Sequence, residues 1–217
     1  MTALPIKPEY GPTLGRLLSP RWRAASAPVR GLTVAVLALV LAGVVGLALT
    51  LQDAKYSHGG RLPFSFAYRD LYRVAPDPGG FVRVRGGFPN GALKYSFAVA
   101  PLRLPAYSGE QTAEVPLFAT GLVRELAGRY QGFAFRGEGR TKISNTSSGY
   151  QILFTAQVEG QRVYGRDVLL LPPGRGVREG VIATMLAAST ASKQVLSPIE
   201  VGTTGVLLRP MKSLAFG

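Results

Sequence analysis

Positions 32–51 carry no charge, and only Thr33 and Thr50 among them bear a hydroxyl. At 1.5 Å per residue, a helix of that length spans about 30 Å, the hydrocarbon thickness of a bilayer. Globular helices seldom run so far without a polar face. The pattern therefore predicts one membrane-spanning helix over residues 31–52, with Leu32 and Leu51 near its ends. Beyond it the period changes to two. Phe64, Phe66 and Tyr68 alternate with Ser65, Ala67 and Arg69; Leu93, Tyr95, Phe97 and Val99 with Lys94, Ser96 and Ala98; Tyr150, Ile152, Phe154, Ala156 and Val158 with Gln151, Thr155, Gln157 and Glu159. Each run reads as a half-buried strand. Residues 81–85 and 133–143 show the same alternation more faintly. Glu159-Gly160 is expected to turn a hairpin onto a strand over 161–171, the glycine supplying the positive φ of a tight turn.

Two segments keep a helical period instead. Between 114 and 130 the apolar residues Val115, Phe118, Ala119, Leu122, Leu126 and Tyr130 recur every three to four positions, with Arg124, Glu125 and Arg129 turned away and Pro116 in the first turn. A second helix is expected over 177–190, with Val181, Ile182, Met185 and Leu186 as its stripe, introduced by Pro172-Pro173-Gly174. The fold class predicted is α+β: a transmembrane helix, then an antiparallel sheet with helices packed on it. Phe64-Ser65-Phe66-Ala67-Tyr68 followed by Leu71-Tyr72-Arg73-Val74 resembles the opening of PsbP-type domains. Gly149-Tyr150-Gln151-Ile152, Gly165-Arg166-Asp167-Val168-Leu169-Leu170 and a closing helix are similar to the hairpin and end of that fold. The likeness covers roughly 62–190. It departs at Arg69-Asp70, where a proline is common, and in a tail that runs past the usual end. The resemblance implies an α/β/α sandwich used for protein binding and envelope assembly, and brings no catalytic residues with it.

The flanks of the apolar helix set its expected orientation. Lys7, Arg16, Arg21, Arg23 and Arg30 precede it against one acid, Glu9, whereas Asp53 opens the other side before Lys55. Basic residues are retained on the cytoplasmic side, so the N-terminus should be cytoplasmic and the C-terminal domain extracytoplasmic. A cleaved signal peptide would have an apolar core of about 7–15 residues and a small-x-small site after it. Thr50-Leu51-Gln52-Asp53 offers a poor one, which favours an uncleaved signal anchor. The domain plan is thus a basic tail over 1–30, the span over 31–52, a flexible stem over 53–61, an α+β domain over 62–190 and an extended tail over 191–217. The prolines at 5, 8, 12, 20 and 28 keep the N-terminal tail extended. Within it Arg16, Leu17, Leu18, Arg21, Trp22 and Arg23 suit either a membrane-interface turn or a docking peptide for a cytoplasmic partner. Ala38, Ala42 and Gly46, continued by Thr50, form a stripe of small residues suited to a homodimer, although spanning helices are rich in such residues anyway.

Composition narrows the function. Of 217 residues, 47% are hydrophobic and 17% charged, and the mean hydropathy is +0.17, which excludes a disordered chain. The net charge of +13 raises nucleic acid, but the basic residues stand singly and arginine outnumbers lysine 19 to 6, as GC-rich coding produces by itself. No nucleic-acid partner is expected. With no cysteine there is no disulfide, thiolate nucleophile or cysteine-held metal. The one histidine, His58, falls in the expected stem, ahead of any scaffold that would make it a base. Asp70, Asp77, Glu110, Glu159 and Glu179 sit at turns or loop edges, where acids are solvated. Asp167 differs, since it interrupts an apolar strand and suits a buried ion pair with an arginine on a neighbouring strand better than catalysis. Gly137-Glu138-Gly139-Arg140-Thr141-Lys142 lacks phosphate-loop spacing and reads as a polar turn, and the sequon Asn145-Thr146-Ser147 marks an exposed loop. Val206-Leu207-Leu208 is placed to add an edge strand to its own sheet or a partner's. No catalytic residue, metal or cofactor is expected. The reading is a non-enzymatic envelope protein that binds a protein or polymer partner. The alternative is a ligand-binding or sensing module with a pocket lined by Phe97, Phe118 and Tyr150.

Overall fold

The computed structural model describes residues 26–50, 53–69, 73–75, 77–106, 111–143, 148–174 and 176–217, in two units that divide after Gln52. In the first unit, helix α1 spans Ala27–Thr50, 24 residues. It starts before the expected span, with Pro28 in its first turn, where a missing N–H forfeits no helical bond. Its described side chains are all exposed. Thr33 Oγ1 donates to the Val29 carbonyl at 2.8 Å, so that hydroxyl is satisfied within the helix. Among the described residues α1 is the one helix long and apolar enough to cross a membrane.

The second unit is α+β, as the alternating patterns imply. Its elements are β1 (Asp53–His58), β2 (Phe64–Arg69), β3 (Arg73–Ala75), β4 (Val82–Gly87), β5 (Leu93–Arg103), α2 (Gln111–Arg129), β6 (Gln131–Lys142), β7 (Ser148–Val158), β8 (Gln161–Leu170), β9 (Glu179–Ala188), a 3-10 turn at Pro198–Glu200, α3 (Leu208–Ser213) and β10 (Ala215–Phe216). Two antiparallel sheets result. One has seven strands in the order β3-β4-β5-β9-β8-β7-β6, the other three in the order β1-β2-β10. The β7–β8 hairpin turns on Glu159 and Gly160, at φ 53° and 74°. Glu159 holds this left-handed conformation while its carboxylate accepts from the Leu93 amide at 3.0 Å and pairs with Arg85 at 2.7 Å.

The large sheet is buried on both faces. Phe64 and Phe66 from β2, with Val195, Val201, Leu207, Met211 and Leu214 from the C-terminal segment, cover one face over Val82, Phe97, Val99, Val168, Val181 and Met185. Ala119, Leu122 and Leu126 of α2 cover the other, over Leu102, Ile152, Phe154, Val163 and Leu186. The helical period of α2 thus delivers the expected stripe. Because α2 begins at Gln111, Pro116 falls inside it rather than in its first turn.

Five expectations are corrected. The segment 177–190 is not a helix: it forms β9, central in the sheet between β5 and β8. A strand covered on both faces has apolar residues at odd and even positions, so the two-residue period vanishes and a helical stripe remains by chance. Gly180 there lies against the Leu170 carbonyl with no room for a Cβ. Residues 53–58, expected in a flexible stem, pair along their whole length with β2. The tail over 191–217 is not extended: it forms the 3-10 turn, α3 and β10, and buries the apolar residues named above. Its edge strand is Ala215–Phe216, paired with β2, and not Val206-Leu207-Leu208, which lead into α3. Ser213 Oγ accepts from the Ala67 amide at 2.8 Å and so continues that edge from the helix. Finally, residues 137–142 are the last half of β6, not a turn.

Candidate functional site

The strand β8 places two ionisable residues side by side in sequence and on opposite faces of the sheet. Arg166 is 3% exposed and enters the face covered by the C-terminal segment, where it donates to the Val201 carbonyl at 3.0 Å and to Thr141 Oγ1 at 2.9 Å. Burial lowers its pKa below the ordinary arginine value. Asp167 is 1% exposed and enters the face covered by α2. The expected ion pair between Asp167 and a neighbouring-strand arginine is absent among the described residues. The two-residue period of β8 turns Arg166 away, and the β7 and β9 neighbours of Asp167 are Ile152 and Thr184. The Thr184 hydroxyl hydrogen-bonds the carboxyl group, while Asp167 Oδ1 has no partner. Burial pushes the Asp167 pKa up to about 7, against the smaller downward pulls of Thr184 and of the Arg129 charge.

Asp167 lies at the floor of a cavity of about 460 Å³ between α2 and the sheet. Ala100, Pro101, Phe118, Leu122 and Ile182 form its walls, and Thr184 shares the floor. Arg103, Glu125 and Arg129 also line it, and all three are exposed and mark its mouth. The apolar stripe of α2 orients this arrangement: once Leu122 and Leu126 face the sheet, Glu125 and Arg129 fall on the flank at the opening. Tyr130, just past the helix, stacks on Phe154 at 5.5 Å, and burial raises its pKa, with the Asp167 charge acting in the same direction. A second cavity, of about 490 Å³, opens beside Val115, Pro116, Tyr150, Leu171 and Phe216, with Arg140 at its edge.

The three aromatic residues expected to share a pocket are separated. Phe118 lines the Asp167 cavity and Tyr150 the second one. Phe97 points through the opposite face, 1% exposed, against Phe66 at a ring-centroid distance of 4.9 Å. Leu32, Ala38, Ala42 and Gly46 are exposed along α1. Leu51 and the Arg16, Leu17, Leu18, Arg21, Trp22 and Arg23 group lie outside the described residues, as does the Asn145 sequon. His58, in β1, stacks on Phe64 at 5.0 Å and lies 4.4 Å from the Phe81 ring, so its side chain is used in packing. No cluster of three or more His, Cys, Asp or Glu residues occurs among the described residues. The residues that sequence reasoning missed are Arg103, Thr184 and Ile182, which no local signal brings together with Asp167, because β5, β8 and β9 meet only through long-range pairing.

No family model matches the chain, and no curated protein matches it. Among solved structures it is similar to LpqN, involved in cell envelope biogenesis of Mycobacterium tuberculosis, at 11% identity and a TM-score of 0.48, over 76% of this chain and 91% of that one. It is also similar to PA94 from Pseudomonas aeruginosa, a protein of unknown function, at 13% identity and a TM-score of 0.32, over 64% of this chain and 85% of that one. Likeness at this level transfers neither a site nor an activity.

Proposed function

We propose that the chain is a single-pass membrane protein whose residues 53–217 form an extracytoplasmic, non-enzymatic binding domain for an anionic protein or polymer of the cell envelope, with α1 as an uncleaved signal anchor. The observation that carries this reading is α1 itself. A 24-residue helix without a charge after Arg30 has the length and composition of a bilayer span, which supports this reading. The five basic residues before it, against Glu9, support a cytoplasmic N-terminus.

The binding role draws on charge and edge. Residues 53–217 carry 20 Lys and Arg against 11 Asp and Glu, a net +9. The outer strand β6 presents exposed Arg136, Arg140 and Lys142 against Glu138, with Phe135 45% exposed among them. Bulges near residues 131–137 break its ladder with β7, a device that discourages indiscriminate strand addition and leaves the side-chain charges to choose the partner. The packing of His58 against Phe64 and Phe81 supports a role without chemistry at that residue. The resemblance of residues 64–74 to PsbP-type domains, which implies protein binding, supports the same reading. The alternative, a ligand-binding module, is favoured by the cavity above Asp167.

The chain has no cysteine, so single-cysteine variants report topology cleanly. Lys193→Cys should react with a membrane-impermeant maleimide on intact cells, and Lys7→Cys only after lysis; the reverse pattern overturns the reading. In the same cells, charge reversal of Arg136, Arg140 and Lys142 together should reduce cross-linking to envelope partners at least tenfold.

A further inference from the structure

The cavity above Asp167 has the features of a built site and not of a packing defect. Its floor carries a carboxyl group that packing does not explain, in a strand otherwise apolar, with Oδ1 unpartnered. A buried polar atom left unmatched is destabilising, and more so if charged. The neighbouring arginine in sequence is committed to the opposite face. At the mouth Arg103, Glu125 and Arg129 enter none of the ion pairs formed among the described residues. The cavity thus has an acceptor at its deep end, an apolar wall of Phe118, Leu122 and Ile182, and a net positive mouth.

We infer that this cavity binds a small zwitterion, with a primary ammonium against Asp167, a short aliphatic chain along Phe118 and Leu122, and an anionic group held at the mouth by Arg103 and Arg129. An ammonium brings three donors, enough for the unpartnered Asp167 oxygen and the Thr184 hydroxyl. A simple amine would meet two guanidinium groups at the entrance, and a simple anion would leave Asp167 unmatched. The anion is a carboxylate in a free ω-amino acid and a phosphate in an aminoalkyl phosphate; the mouth charge suits both. The inference rests on the ligand-module reading but not on the orientation of α1 or on the β6 surface.

The test is calorimetric titration of the full-length protein in detergent micelles with 6-aminohexanoate, hexylamine and hexanoate, and with phosphoethanolamine to separate the two anion types. 6-Aminohexanoate or phosphoethanolamine should bind saturably, and each single-charge probe at least tenfold more weakly. Asp167→Asn should weaken zwitterion binding at least tenfold. Arg129→Gln, at an exposed position, should weaken it several-fold while leaving hexylamine unchanged or tighter. The groups facing Asp167 are Arg103 from β5, Thr184 from β9, and Glu125, Arg129 and the adjoining Tyr130 from α2 and its end. With Asp167 titrating near 7, affinity should fall about tenfold per pH unit below that value, because the ammonium must displace a proton. Binding of no probe, or binding indifferent to both variants, overturns the inference. Tight binding of hexylamine or hexanoate alone that is abolished by Phe118→Trp also overturns this ligand class, while leaving a ligand module of other chemistry in place.

Discussion

The two faces of the seven-stranded sheet are built on different terms. One is sealed over its centre: β2, α3 and the C-terminal segment fill it with Phe64, Phe66, Met211 and Leu214, its single buried charge, Arg166, donates to Val201 and Thr141 while Nε is unmatched, and the cavity of about 490 Å³ opens at its rim beside Leu214 and Phe216. The other is covered by one helix, which leaves a cavity of about 460 Å³ and a buried carboxyl with an unmatched oxygen. The sealed face holds the fold together by close packing, whereas the helix face gives up some of that packing for a polar group in a confined, low-dielectric space. A functional hypothesis belongs to the second face, and a stability hypothesis to the first.

The largest expected effect tests the sealed face. Phe97→Ala removes a ring that is 1% exposed and packed on Phe66, and should destabilise the domain by about 3–5 kcal/mol in urea unfolding. A loss under about 1 kcal/mol would show that this face is looser than described. Next comes the helix face, where stability should depend on pH. Below the ordinary value of 3.8 Asp167 is protonated whether folded or not. Between 3.8 and about 7 the folded chain keeps a proton that the unfolded chain has released, so stability falls as pH rises and the loss is complete above 7. The fall should be on the order of a few kcal/mol. Asp167→Asn should flatten this slope and be the more stable protein at about pH 8, measured by unfolding at several pH values. An unchanged slope would place the titrating group elsewhere. The smallest effect lies at the hairpin. Glu159→Ala removes the pairing with Arg85 and the acceptor for the Leu93 amide, at side-chain exposures of 40% and 42% for the ion pair, and should cost about 1 kcal/mol.

How much of this was legible in the sequence follows from how local each signal is. The strands with polar residues along one side, β2 and β7, announced themselves by alternation, and the Glu159-Gly160 turn by its glycine. β9 did not, because the C-terminal segment covers one of its faces and α2 the other, which erases the period. Asp167 stood out as a polar interruption in an apolar strand and is indeed buried. Its partner was misread because adjacent residues of a strand face opposite ways. The pocket residues failed for a related reason. Phe97 and Phe118 are equally apolar, and only the pairing of β5 with β9 decides which sheet face Phe97 joins. The C-terminal segment keeps neither a two-residue nor a sustained helical period among Val195, Val201, Leu207 and Met211, since its burial is dictated by the surface it covers.

That covering segment follows every strand of the seven-stranded sheet in chain order, so it is synthesised after all of them. Until residue 214 is available, the face bearing Phe97, Val99 and Met185 has only Phe64 and Phe66 of β2 to cover it, and β2 lacks the neighbour that Ala215–Phe216 supplies. Completion of this face therefore waits for residues 195–216, and a folding intermediate that has not yet docked them carries an open apolar surface.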